Sequence, residues 1–291
     1  MLSISPTEIP QNILHSHLVS SVGPRPVCFA STIDSKGNPN LSPFSFFNVF
    51  GSNPPIAVFS PARSGRTGQQ KNTLENILEV PEVVINIVTY SMVQQTSLAS
   101  AEYPKGVNEF VKSGFTPIPS EKVRPFRVKE SPVQMECKVL EVKHTGTGGG
   151  SGNLVICEVI HMHINEDILT PDGRIDQQKI DTVGRMGGHW YCRAHGDALF
   201  ELPQPNFNLG IGVDALPASI RNSHVFTGNN LGQLGNVTHL PTDEEIKEYA
   251  NLESFKGMKS LPEEKLHEEV KKLLAQNKIA EAWKLLLAYL K

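Results

Sequence analysis

Lys71 and Thr73 open the segment KNTLENIL, in which Leu74, Ile77 and Leu78 share one helical face, and Arg63 and Arg66 lie just ahead of it. Cations and a hydroxyl at a helix start suit a phosphate, because the first-turn N–H groups there lack partners and the dipole is positive. A solvated basic loop is the plain alternative. Thr32, Asn40, Ser42 and Ser45 add neutral donors from adjacent strand-like segments, and buried groups of this kind need partners. Further along, Gly184–Tyr191 reads GRMGGHWY, where glycines allow His189 a close approach to a ligand and the aromatic neighbours offer cover for a ring. Ordinary packing is the alternative for His189. Together these residue types suit a phosphorylated, flat, redox-active ring.

The elements that must position them are mostly strands. Val27–Ile33 is β-rich, Asp34–Asn38 supplies a glycine-containing turn, and Leu41–Phe50 resumes extended structure. Ser52-Asn53-Pro54-Pro55 breaks that run before Ile56–Phe59. Asn72, with Glu75 three residues on, has the form of a capping box for the short helix. Val83–Thr89 is a strand, helices are expected over Val93–Ala101 and near Val107–Val111, and Val133–Val142 and Leu154–Ile164 pair around the glycine-rich tip 144–152. That tip lacks the lysine-hydroxyl ending and strand-to-helix setting of a triphosphate loop. The fold class expected is mainly β with inserted helices, over residues 1–195. An irregular connector, 196–240, is expected to pack on the barrel, with Phe200–Pro205 draped across it. A helical extension follows over 241–291, whose Leu266, Val270, Leu273, Leu274, Ile279, Trp283 and Leu287 form an apolar face that needs a surface to cover.

Several chemistries are excluded. No GxSxG elbow and no GxGxxG after a strand is present, so neither an α/β hydrolase nor a dinucleotide fold is supported. A net charge of -3 gives no basic surface for nucleic acid, and no apolar run is long enough to span a bilayer. The first residues lack the apolar core of a signal peptide. Cys28, Cys137, Cys157 and Cys192 form no CxxC pair, so structural thiols in a reducing cytoplasm are expected. His161 and His163 share a strand face, but sequence supplies no evident third ligand. They are read as an ordinary sheet pair, and no metal is expected.

The ordered set RPVCFASTIDSKGNPNLSPFSFFNVFGSNPPIAVF, KNTLENI, VVINIV, NEF, SPVQMECKV and GRMGGHWY resembles the flavin reductase-like family over about residues 20–195. The resemblance implies an FMN-binding split β-barrel, a homodimer, and a flavin near each subunit interface. It implies that Ser31, Thr32, Asn40, Ser42, Ser45, Phe46 and Phe47 line or support the flavin pocket. Lys71-Asn72-Thr73 stands where the family has lysine-aspartate-threonine near the phosphate, and Arg185, Gly187 and Tyr191 match its RLGG and following aromatic. The activity implied is transfer of hydride from NADH or NADPH to the flavin N5, and no ribose-discriminating motif chooses between them. The acceptor would be a small molecule or a partner oxygenase. The alternatives are an FMN-dependent oxygenase or other oxidoreductase on a small organic substrate, and a non-catalytic flavin-binding protein that recruits a partner.

Overall fold

Seven antiparallel strands build the main sheet of the first unit: β1 (Cys28–Ile33), β2 (Pro39–Phe44), β3 (Phe47–Ser52), β4 (Pro55–Phe59), β5 (Glu82–Ile87), β6 (Val133–His144) and β7 (Asn153–Ile164). The computed structural model describes residues 1–202 and 208–291, in two units, Met1–Phe200 and Glu201–Lys291. The sheet order is β2-β1-β5-β6-β7-β4-β3. Its two edge strands, β2 and β3, are consecutive in the chain and joined only by Ser45-Phe46. Laid flat, seven strands would hold their edges about 29 Å apart, whereas the steps from Phe44 to Phe47 reach about 11 Å at most. The sheet must therefore curl until its edges approach, giving a barrel that is split at Ser45-Phe46. The sequence pattern runs Leu41–Phe50 together as one extended segment; the structure divides it at this corner, where no glycine or proline marks the change of edge.

Every residue of β1 is buried because both of its faces are covered. Cys28 and Ala30 face the barrel interior with Phe59, Leu74, Ile77 and Met135. Val27 and Phe29 belong to an outer cluster with Leu41, Val88, Phe110 and Phe115. Alternation of polar and apolar residues is therefore missing from the strand. Cys137 and Cys157 join Cys28 inside, and burial, with Cys28 beside it, pushes the Cys157 thiol up to about 12. Such thiols pack as small apolar groups.

Three helices flank the barrel: α1 (Gln11–Ser21), α2 (Asn72–Glu79) and α3 (Val93–Ala99), with the shorter turn Glu109–Ser113 after them. Leu74 and Ile77 sink α2 into the interior as their spacing requires. The capping box expected at Asn72 does not form. Lys71 is the cap residue, no side chain caps the helix, and the Asn72 amide instead donates to the Tyr103 carbonyl at 3.4 Å. The glycine tip of the β6–β7 hairpin is pinned to the preceding loop. The Arg63 N–H donates to the Ser151 carbonyl and the Gly150 N–H to that of Arg63. At Gly149 a Cβ would stand 3.1 Å from the Ser64 carbonyl oxygen, so the approach depends on glycine.

The second unit corrects the expected connector. Ile220, Phe226 and Leu234, from within 196–240, share one core with Leu266, Val270, Leu274 and Trp283. The apolar face of the C-terminal helices α4 (Glu263–Ala275) and α5 (Ile279–Leu290) is thus covered by this earlier segment. Thr227 with Asn230 and Thr242 with Glu245 form capping boxes at two further helix starts. Part of the expected drape, residues 203–205, lies outside the described residues.

Candidate functional site

Two clefts of the first unit both have Ser100 in their linings. The first, about 560 Å³, takes Asn40 and Ser42 from β2, Lys71 and Thr73 from the start of α2, and Glu102 and Glu109 from further along the chain. The second, about 470 Å³, takes Ser45 and Phe46 from the barrel split, Arg25, and Arg185 with Tyr191. Both volumes fall within the roughly 300–1,000 Å³ range of small-molecule sites.

The first cleft is stitched by neutral groups. Asn40 lies opposite Thr32 across the β1–β2 pair, and its amide donates to Thr73 Oγ1 at 3.0 Å. The Asn76 amide donates to Thr32 Oγ1 at 3.2 Å, which fixes α2 against the hairpin. The uncapped start of α2 consequently opens into the cleft beside the Lys71 ammonium. Lys71 Nζ is 2.8 Å from Glu102 Oε1, and Arg66 Nη2 is 3.2 Å from the other oxygen of the same carboxylate. Their hydrogen bonds and charges, Lys71 first, hold the Glu102 carboxyl below its ordinary value. Glu102 was invisible as a site residue because it lies far from Lys71 in the chain.

Glu109, in the NEF segment of the family resemblance, is a second site residue that had no assigned role. It is buried, its Oε2 accepts the Leu41 N–H of edge strand β2 at 3.1 Å, and it reaches the cleft. Burial pushes its carboxyl above the usual range, more than the Leu41 bond pulls it back. The folded protein therefore holds this proton more tightly than the unfolded chain. Its contribution to stability is full below the unfolded carboxylate pKa of about 4.3 and is lost as pH rises through the folded value. Glu109→Gln is expected to raise stability at pH 7 by on the order of 1 kcal/mol, with the gain vanishing towards pH 4. Denaturant midpoints at both pH values test this, and an equal gain at the two would refute it.

In the second cleft a small antiparallel sheet aligns the key groups. Arg25 lies opposite Arg185, and Arg185 opposite Tyr191. Arg25 donates to the carbonyls of Val22 at 2.7 Å and Met186 at 3.1 Å, and its guanidinium lies 5.9 Å from the Phe46 ring centroid. Arg185 donates to the Tyr191 hydroxyl at 2.8 Å and the Gly188 carbonyl at 2.6 Å. Burial, then the nearby Arg185 charge, lowers the Arg25 pKa. Facing like charges cost stability, and these hydrogen-bond partners are all neutral. The arrangement suits an anionic, planar group. Arg25 opens the RPVCFAST segment that carries the family resemblance, but only its register with Arg185 places it in this cleft.

The clefts thus bring together Asn40, Ser42, Ser45, Phe46, Lys71, Thr73, Arg185 and Tyr191. The other expected residues lie outside both. Thr32 supports Asn40 and Asn76 from behind. Ser31 is fully buried with an unpartnered hydroxyl, and Phe47 packs in the barrel core. Arg63 donates to the Gly68 carbonyl, and Arg66 is largely exposed. Gly187 is needed because a Cβ there would strike Ser20 of α1, and His189 is exposed. The donors, the cation at a helix start and the aromatic–arginine wall fit the parts of FMN: phosphate, ribityl chain and ring.

A split barrel with this donor set is the architecture of flavin-binding oxidoreductases. Residues 21–179 match the family described as flavin reductase like domain, and this chain belongs to that family. An uncharacterized protein of Halalkalibacterium halodurans is 31% identical over 71% of this chain and 98% of its own. Among solved structures, nitrilotriacetate monooxygenase component B from Bacillus cereus is 32% identical, with a TM-score of 0.64 over 69% of this chain and 98% of its own. The 2-nitrobenzoate 2-nitroreductase of Pseudomonas fluorescens is 25% identical, with a TM-score of 0.63 over 75% and 100%. Each match spans nearly all of the relative and leaves a quarter or more of this chain without a counterpart.

Proposed function

We propose that this chain is an NAD(P)H-dependent flavin reductase that holds FMN across the two neighbouring clefts. The observation that carries the reading is the lining residue they share, Ser100, with Lys71 and the start of α2 in one cleft and Arg25, Arg185 and Tyr191 in the other. Bound FMN would supply the two-electron chemistry, accepting hydride at N5 from NADH or NADPH. The protein's residues bind and orient. Lys71, Thr73 and the α2 N–H groups hold the phosphate, while Asn40 and Ser42 serve the ribityl chain. Arg25 and Arg185 favour negative charge at the ring edge, and Phe46 and Tyr191 pack beside it. Hydride transfer between stacked rings needs positioning more than a side-chain acid or base.

Purified protein is expected to bind FMN saturably, and anaerobic stopped-flow mixing with NADH or NADPH should bleach the oxidised flavin band. Failure of both reductants to bleach FMN-loaded protein would rule the activity out. We further propose a homodimer. Val49 and Phe50, exposed on edge strand β3, support it as an apolar surface beside the split. The same preparation should sediment as a dimer; a monomer at micromolar concentration would remove that part. A cytoplasmic location is proposed with it, supported by four free cysteines. Among the described residues no helix is long and apolar enough to cross a membrane.

A second reading, reduction of a small aromatic acid, is supported by the paired arginines of the second cleft and by the similarity to a nitroreductase. Turnover of a nitroarene carboxylate with no free reduced flavin released would favour it over the first.

A further inference from the structure

The fold supplies what the sequence near His161 and His163 lacks, a third ligand. The two imidazoles extend from one face of β7 and stand edge to face, with centroids 4.7 Å apart. Glu121 comes over them from the loop ahead of β6. Its Oε2 is 3.5 Å from His161 Nε2, and its Oε1 is 3.9 Å from His163 Nδ1. One ligand atom from each of the three residues can be chosen so that all lie within 4.8 Å of one another. A tetrahedral ion with bonds of about 2.0–2.1 Å sets neighbouring ligand atoms about 3.3–3.4 Å apart. Small side-chain rotations would close the difference.

The support behind these ligands distinguishes them from a chance surface pair. Glu136, fully buried in β6, accepts from His163 Nε2 at 2.7 Å and from the Glu121 N–H at 2.9 Å, both on Oε1. Its Oε2 accepts the Lys122 N–H at 2.6 Å and the Val123 N–H at 3.2 Å. One carboxylate therefore turns the His163 ring so that Nδ1 faces Glu121, and also fixes the loop that carries Glu121. With Nε2 donating, Nδ1 is the ring's lone-pair nitrogen. A buried carboxylate behind a histidine ligand is the usual outer-shell arrangement of metal sites, where it fixes ring orientation and raises ligand basicity.

We propose that Glu121, His161 and His163 form a binding site for a divalent transition-metal ion of the zinc type, with a fourth position open to water. Two imidazoles and a carboxylate suit Zn(II) or Co(II) better than the oxygen-seeking Mg(II) or Ca(II). The ion would clamp the loop around Glu121 to the end of β7. No residue of this set lines either cleft, so the proposal stands or falls apart from the flavin reading.

The test uses the full-length protein, stripped with a chelator, then dialysed against Zn(II) with a competing chromophoric chelator. Co(II) serves as the spectroscopic probe. One tightly held Zn(II) per chain is expected, with a Co(II) absorption spectrum of low-symmetry, four-coordinate type. His161→Ala and Glu121→Gln should each weaken Zn(II) binding by at least about tenfold. Both side chains are partly exposed, at 33% and 56%, so the variants should keep the wild-type melting temperature in chelator. At a fixed free concentration, Zn(II) should raise that temperature less in either variant than in the wild type. Absence of saturable uptake, or uptake of equal affinity in both variants and the wild type, would overturn the site.

Discussion

Lys71→Ala is expected to weaken FMN binding by about 10- to 100-fold, the scale of one charge-assisted hydrogen bond to phosphate, about 1.5–3 kcal/mol. The sign of a second change follows from the geometry. In the free protein Glu102 occupies the Lys71 ammonium at 2.8 Å and the Arg66 guanidinium at 3.2 Å. A phosphate arriving at the start of α2 must share or displace that carboxylate. Exposed pairs of this kind are worth about 0–1 kcal/mol, so Glu102→Gln should tighten FMN binding by up to about fivefold. The two effects should not add, because removal of Lys71 deletes much of what Glu102 competes for. Raising salt from low to physiological ionic strength should narrow the Lys71 effect, since the site is open to solvent. Flavin-fluorescence titrations of the four proteins give the cycle. An unchanged dissociation constant in Lys71→Ala would remove the phosphate from this end of the cleft.

Much of the barrel was legible because its strands are rich in β-branched and aromatic residues and its turns are marked by Asp34–Asn38 and Asn53-Pro54. The helix at Asn72–Glu79 was legible from Leu74 and Ile77 alone. What the sequence concealed depends on contacts between distant segments. The corner at Ser45-Phe46 carries no breaker residue, and only the sheet order shows that β2 and β3 lie on opposite edges. Asn72 and Glu75 have capping-box spacing, yet the Asn72 amide is taken by the Tyr103 carbonyl. Glu102 and Glu121 have no local signature, and Glu109, although it lies in the NEF segment, had no site role there; each acquires its surroundings from elements far away in the chain. Gly187 resembled a ligand-approach glycine, but its missing Cβ makes room for Ser20. Residues 208–240 looked irregular because their helices are short, one of them glycine-rich, and their apolar residues recur too sparsely to show a period.

The second large effect is expected from Trp283→Ala. Trp283 is 1% exposed, and its indole N–H donates to the Leu234 carbonyl at 3.0 Å. Removing a buried tryptophan typically costs about 3–5 kcal/mol through lost contacts and the cavity left behind, and here it also orphans a carbonyl. A unit of this size has a total stability of only about 5–14 kcal/mol on a per-residue scale. The loss is therefore a large share of what holds Leu234, Leu266, Val270 and Leu286 in one core. The chain's only other tryptophan, Trp190, is 77% exposed and provides the control: Trp190→Ala should alter stability by no more than about 0.5 kcal/mol. In a Trp190→Phe background the remaining fluorescence reports Trp283 alone, so its unfolding can be followed directly in the parent. In Trp283→Ala the helical signal at 222 nm, an approximate marker of the helix-rich second unit, should lose an early component at a lower denaturant concentration. Equal stability of Trp283→Ala and Trp190→Ala would show that this core does not depend on its indole, and that residues 208–240 are held by something other than the packing described.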